Sequence, residues 1–175
     1  MRTMKVASFV LLFMTVMTVG IVLADSPHFV SASTSIDTAG CTGLPQPSGC
    51  GDATVSFKEA GLGSAVTVNY DFSGNATADY GCINGGGKHP QASNKEASGG
   101  PVSSTASFTS TKAGNITGSF SVAPPPPPGT FSCPSGQTAV LADVTYSDLA
   151  LTDTTNSIDA TVSPTSVTSV FFTFK

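Results

Sequence analysis

Apolar residues recur at every second position through most of this chain, and that rhythm constrains the fold more than any other feature. Val66, Val68, Tyr70 and Phe72 share one parity, with Thr67, Asn69 and Asp71 on the other. Ala76, Ala78, Tyr80 and Cys82 alternate in the same way with Thr77 and Asp79. The pattern returns in Val102, Ala106 and Phe108, in Ile116, Phe120 and Val122, in Val170, Phe172 and Phe174, and on odd positions in Ala53, Val55 and Phe57. Successive side chains of a strand point to opposite faces, so each set predicts one buried and one wet face. Past the N-terminal stretch no segment sustains an apolar repeat at helical spacing.

Within residues 138–152 the parity changes. Val140, Ala142, Val144 and Tyr146 are even, whereas Leu149 and Leu151 are odd. One extra residue near Ser147–Asp148, as in a β-bulge or a strand that crosses between sheets, accounts for the shift. Ser73-Gly74-Asn75 predicts a hairpin turn between two strands, and residues 111–114 predict another between Phe108 and Ile116. Residues 84–100 are polar and Gly-rich without alternation and predict a loop. Pro124 to Pro128 predict a stiff polyproline II segment, and residues 153–157 a turn. About eight to ten short strands at this spacing predict an all-β fold, an antiparallel β-sandwich of Ig-like or jelly-roll-like type.

The N-terminus reads differently. Arg2 and Lys5 precede an apolar run from Val6 to Ala24, and Val22 and Ala24 are the small residues just before Asp25. That order predicts a secretory signal peptide over residues 1–24. The competing reading is an uncleaved signal acting as a membrane anchor, since roughly 20 apolar residues span a bilayer. The expected organisation is therefore a signal over 1–24, an N-terminal strand and Cys loop over 25–51, and a sandwich body over 52–175, with 25–175 forming one domain. Seven Lys and Arg stand against eleven Asp and Glu, a formal charge of −4. A nucleic-acid binder needs a basic footprint, and an acidic chain offers little to anionic membranes. The expected location is secreted or cell surface.

Cys41, Cys50, Cys82 and Cys133 all lie beyond the signal. An even count in an exported chain implies disulfides, with three pairings open. Preferred is Cys41–Cys50, which closes the Gly- and Pro-rich CTGLPQPSGC, with Cys82–Cys133. In the chain-entropy model these bridges contribute roughly 2.7 and about 4 kcal/mol. Cys82 stands on an apolar parity, so its bridge is expected in the core. A zinc site lacks support, because no C-x-x-C is present and neither His28 nor His89 stands at a finger-like spacing.

Four pieces of sequence carry a family resemblance: FKEAGLG from Phe57, YGCINGGGKHPQASNKE from Tyr80, FSCPSGQT from Phe131 and YSDLALTDTTN from Tyr146. Together they resemble a family of small exported, uncharacterised all-β proteins of soil bacteria and related microbes, over roughly residues 52–156. The resemblance implies an exported all-β domain and carries over no catalytic residue.

Candidate chemistry is sparse. Glu59 and Glu96 are the only Glu residues, and nothing in the spacing of Asp52, Asp71, Asp79, Asp143, Asp148, Asp153 and Asp159 sets two carboxylates across a cleft. His89 has no G-x-S-x-G context, which leaves a hydrolase as a minor alternative. The glycines at 85–87 beside Lys88 lack a phosphate-loop ending. Asp148, Asp153 and Asn156 are candidate calcium ligands, against the competing reading of an Asx-turn. Carbohydrate modules stack sugars on aromatic rings, yet Trp is absent, Tyr70, Tyr80 and Tyr146 fall on core parities, and Phe171 is the one off-parity aromatic. Asn75 and Asn115 begin N-x-[ST] sequons and are candidate glycosylation sites. Val30, Ala32 and Ile36 share a parity, so residues 28–36 predict a strand, with the further expectation that it adds to a neighbour's sheet edge, whether a second copy or another surface protein. That reading fails if the strand pairs within its own domain. The expectation is an exported, non-catalytic structural or interaction protein of the cell surface or extracellular matrix. The alternative is a ligand-binding module for carbohydrate or calcium. No other cofactor and no nucleic-acid partner is expected.

Overall fold

The structure, a computed structural model, describes residues 26–84, 89–90 and 94–175. The predicted signal and the glycines beside Lys88 lie outside the described residues. Among the described residues eight strands form two antiparallel sheets packed face to face. One sheet holds β1 (His28–Ile36), β2 (Ala53–Ala60) and β5 (Ile116–Val122), in the order β1-β2-β5. The other holds β3 (Thr67–Asn84), β4 (Glu96–Thr109), β6 (Gln137–Asp153), β7 (Ile158–Ala160) and β8 (Val167–Val170), in the order β4-β3-β6, with β7 and β8 both paired to β6. This is the all-β sandwich that the alternation predicts.

The predicted parities supply the interface between the sheets. Val55 and Phe57 of β2 face Val68, Tyr70 and Phe72 of β3 and Val144, Tyr146 and Leu151 of β6, all buried. Phe57 meets Tyr70 at 4.5 Å between ring centroids and Phe108 at 5.6 Å. Each such side chain contributes about 1.5–3 kcal/mol by leaving water. All three tyrosines are buried as expected. The outer faces carry hydroxyl pairs across the strands, such as Thr54 with Ser121 at 2.7 Å and Thr67 with Thr109 at 3.1 Å.

Ser73-Gly74-Asn75 is not a turn. β3 runs straight through it as a strand of 18 residues. Gly74 lies opposite the bulge on β6 that the parity change predicts, where Asp148 has φ 53° and the register skips between Ser73 and Asn75. A Cβ at Gly74 would stand 2.9 Å from the Ser147 carbonyl oxygen and 3.0 Å from Leu149 Cδ2. The glycine is there for the close approach of the bulged backbone, a use that looks like turn chemistry when only the sequence is read. A second bulge, at Ala142, turns Leu141 inward beside Val140.

Other expectations are corrected too. Residues 96–100 are strand rather than loop, because Ala97, Ser98, Gly99 and Gly100 pair with β3 despite having little apolar pattern. Residues 111–114 do form a tight turn, closed by the Gly114 N–H on the Thr111 carbonyl at 2.9 Å. It carries the chain from β4 in one sheet to β5 in the other, so it makes a corner and not a hairpin. On β1 a register shift between Phe29 and Ser31 leaves Val30 54% exposed and turns Phe29 inward against the core. At the C-terminus β8 ends at Val170, which is 60% exposed. The chain then bends, and the Phe171 and Phe172 N–H groups both donate to the Ala142 carbonyl, at 2.8 and 3.0 Å. Phe171, expected to face outward, is buried.

Both preferred disulfides are present, Cys41–Cys50 and Cys82–Cys133, each with Cα atoms 5.5 Å apart, and no described cysteine is free. Cys82 is buried while Cys133 is half-exposed. The second bridge therefore sits at the rim of the core and not inside it. Disulfides of this kind belong to oxidising compartments. Among the described residues no helix is long and apolar enough to cross a membrane.

Candidate functional site

Between the sheets the alternation ends in acids on both sides. The odd positions of β2 run Ala53, Val55, Phe57 and then Glu59, all buried. Those of β6 after the bulge run Leu149, Leu151 and then Asp153, also buried. Tyr70, opposite Asp153 on β3, donates from its phenol to Glu59 Oε2 at 2.6 Å. Asp153 Oδ1 accepts the backbone N–H groups of Thr155 and Asn156 at 2.8 and 2.9 Å, and Oδ2 accepts the Asn156 side-chain amide at 2.6 Å. These contacts make Asp153 the cap of its own turn.

Glu59 has the opposite surroundings. Burial pushes its carboxyl up to about 7; the Tyr70 hydrogen bond and the nearby His28 act against the shift, while the Asp153 charge and contact add to it. Glu59 Oε1 meets no protein donor. Protonated, the Glu59 carboxyl gains an O–H that can donate to Asp153, whose contact adds to its upward shift. The same burial, together with Glu59, raises the Tyr70 hydroxyl and keeps it neutral. Both carboxyl groups lie between the two sheets with zero exposure, so a substrate has no approach. Sequence reading missed this pair, although extending each period-two run by one residue finds it.

The candidate calcium ligands are not brought together. Asp153 and Asn156 form an Asx-turn, with the lone pairs of Asp153 taken by its own loop. Asp148 lies back along β6, on the order of 15 Å away at ~3.3 Å per residue, where it accepts from Asn75 Nδ2 at 3.2 Å. Among the described residues no cluster of three or more His, Cys, Asp or Glu is arranged to hold a metal. The sequon Asn75 is exposed in mid-strand, and Asn115 is half-buried at the exit of the 111–114 turn. His89 contacts Thr173, and no carboxylate among the described residues. Asp79 and Asp143 face each other across β3 and β6, and Lys95 Nζ lies 2.5 Å from Asp79. Burial and then the Asp79 charge raise the Asp143 carboxyl. A cleft of about 320 Å³ lies between the Cys41–Cys50 loop and the proline run, lined by Pro45, Pro47, Pro124, Pro127 and Leu141. The hydroxyl of Tyr80, also on its wall, is committed to the Pro125 carbonyl at 2.7 Å.

The sheet edges differ in how they end. β1 pairs along its length with β2, so it is part of its own sheet and is not offered to a neighbour. Its outer side is covered by the 161–165 segment through Thr34 N–H to the Ser163 carbonyl and Ser163 N–H to the Ala32 carbonyl. β7 and β8 are short, at 3 and 4 residues. β4 spans 14 residues and pairs only with β3 among the described residues. From Ala97 to Thr109 it carries no charge.

No family model, curated protein or solved structure matches this chain.

Proposed function

We propose that the chain is an exported, non-catalytic structural or interaction β-sandwich, secreted to the cell surface or extracellular matrix. The observation that supports this best is the long uncharged edge of β4. Proteins that only need to stay apart blunt such edges with charges or cover them, and strand addition is how an exposed edge recognises another chain. Two disulfides and the neutral, hydroxyl-rich outer faces agree with an oxidising exterior. So does the reading of residues 1–24 as a secretory signal. Asn75, exposed in mid-strand, is the better placed of the two candidate glycan sites.

The test is fractionation of the producing cell, with thiol labelling of each fraction. Recovery in the medium or on intact cells, with no thiol reacting until reductant is added, is the expected result. A cytosolic pool with four reactive thiols would refute the reading.

A further inference from the structure

We propose that β4 is a self-pairing edge, at which two copies of this chain join antiparallel, β4 to β4, over residues 101–109. This rests on the interaction reading above and names its partner.

The phase of the backbone sets which groups are free. The Ser110 N–H donates to the Val66 carbonyl at 2.8 Å, on the side of β3. From Thr109 down to Glu96 the β3–β4 register is unbroken. In an antiparallel ladder alternate residues turn their backbone groups to alternate sides. Even-numbered residues of β4 therefore bond to β3, and odd-numbered ones point outward. β3 agrees from its other side, since Asn69, odd-numbered, gives its N–H to Thr155 Oγ1 and its carbonyl to the Thr154 N–H, both beyond β6. Among the described residues the open donors of β4 are thus Ser103, Thr105, Ser107 and Thr109. Pro101 falls on the same phase, where its missing N–H removes no ladder bond. It closes the lower part of the edge and leaves the upper part free.

Three observations favour a second copy as the occupant. A two-fold axis at residue 105 sets that residue against its own mate and pairs 101 with 109 and 103 with 107, so a charge near the axis would face a like charge, and residues 97–109 carry none. Val102 and Phe108 point inward but stay only partly buried against the core. An added strand would carry the core across the joint and finish covering them. The remaining edge, β5, is half as long at 7 residues and leads into prolines without N–H donors.

Sedimentation of the full exported chain from micromolar to millimolar concentration tests this, together with residue-resolved amide exchange at both ends of that range. The expected mass doubles with concentration. The amides of Ser103, Thr105, Ser107 and Thr109 slow in the heavier species, while those of Ser104 and Ala106 are slow in both. Thr105→Pro removes an outward donor only. Thr105→Lys places like charges near the axis, with Asp71 opposite it in the ladder to keep the fold. Each variant is expected to weaken association by at least about tenfold with the circular dichroism unchanged. A monomer at every concentration overturns the proposal, as does a dimer that Thr105→Pro leaves intact. Protection of the odd amides that requires another surface protein overturns it in favour of a foreign strand. A monomer recovered oxidised at the cell surface sinks the self-pairing and leaves the surface reading standing. A reduced cytosolic chain that dimerises through β4 does the reverse.

Discussion

The phenol of Tyr70 on β3 reaches across the sandwich to Glu59 on β2 and donates a 2.6 Å hydrogen bond to a carboxyl with zero exposure. The two residues belong to different sheets, so this one bond joins the layers at the point where the apolar interface ends. Burial raises the Glu59 carboxyl, and the charge of Asp153 beside it adds to that shift.

Stability is expected to fall as pH rises through the range of Glu59. The carboxyl moves from 4.5 when unfolded to about 7 when folded. Between those values the folded chain holds a proton that the unfolded chain has released, so ΔG of unfolding declines with pH and levels off above the folded value. His28, Tyr70 and Asp153 face this carboxyl and set its position. Asp52 and Asp143 are also raised, both by burial first, and act with the same sign. Urea unfolding at pH 5 and pH 8 checks it, with the acid side more stable by roughly 3 kcal/mol at ~1.4 kcal/mol per pKa unit. Equal stability, or greater stability at pH 8, contradicts it.

Glu59→Gln keeps the shape and accepts from Tyr70 but cannot ionise. The variant is expected to match the parent at pH 5 within about 1 kcal/mol and to lose the decline toward pH 8. A slope that survives the substitution assigns it to other groups.

Gly74→Ala is expected to destabilise by about 1–3 kcal/mol, because its Cβ would press on the Ser147 carbonyl, which is fixed in a bulge and cannot yield. Gly129→Ala, where a Cβ meets nothing within 4 Å, is the control and is expected to change little. Chemical denaturation of the two proteins decides. A neutral Gly74→Ala would mean the bulge moves easily.

Removing Cys82–Cys133 as a double Ala variant is expected to cost more than removing Cys41–Cys50. The sequence separations are 51 and 9, and loop entropy gives about 4 against roughly 2.7 kcal/mol. Denaturation midpoints of the two double variants compare them, and a reversed order would show that native packing around the short loop dominates.

Millimolar calcium is expected to leave the melting temperature unchanged, because Asp153 already spends its oxygens on Thr155 and Asn156. A rise of several degrees that EDTA abolishes would restore the calcium reading.

Period two made most of the fold legible. Burial on one face requires it, and the parity break in β6 located a bulge from sequence alone. What stayed hidden depended on contacts between distant segments. Gly74 has the composition of a turn, and only the strand opposite it shows that its role is clearance. Ser98 to Gly100 have no apolar pattern, yet they pair because β3 continues beside them. Phe171 departs from the strand rule because the chain bends after Val170, where its N–H and that of Phe172 both meet the Ala142 carbonyl in a bulge that no local signal marks, and two successive rings turn inward. The acids were readable in principle. Glu59 and Asp153 each continue a buried parity, and a carboxylate on such a run calls for a partner.

The bridge between Cys82 and Cys133 encloses β4 and β5 in one covalent ring. A chain held at its two ends transmits tension through the sulfur and bypasses everything between. The 51-residue separation, on the order of 170 Å of extended length, can never be drawn out while the bridge is oxidised. A pulled molecule lengthens only by what lies outside the ring. The strand with the open edge bears no tension under a load that strips β1 away.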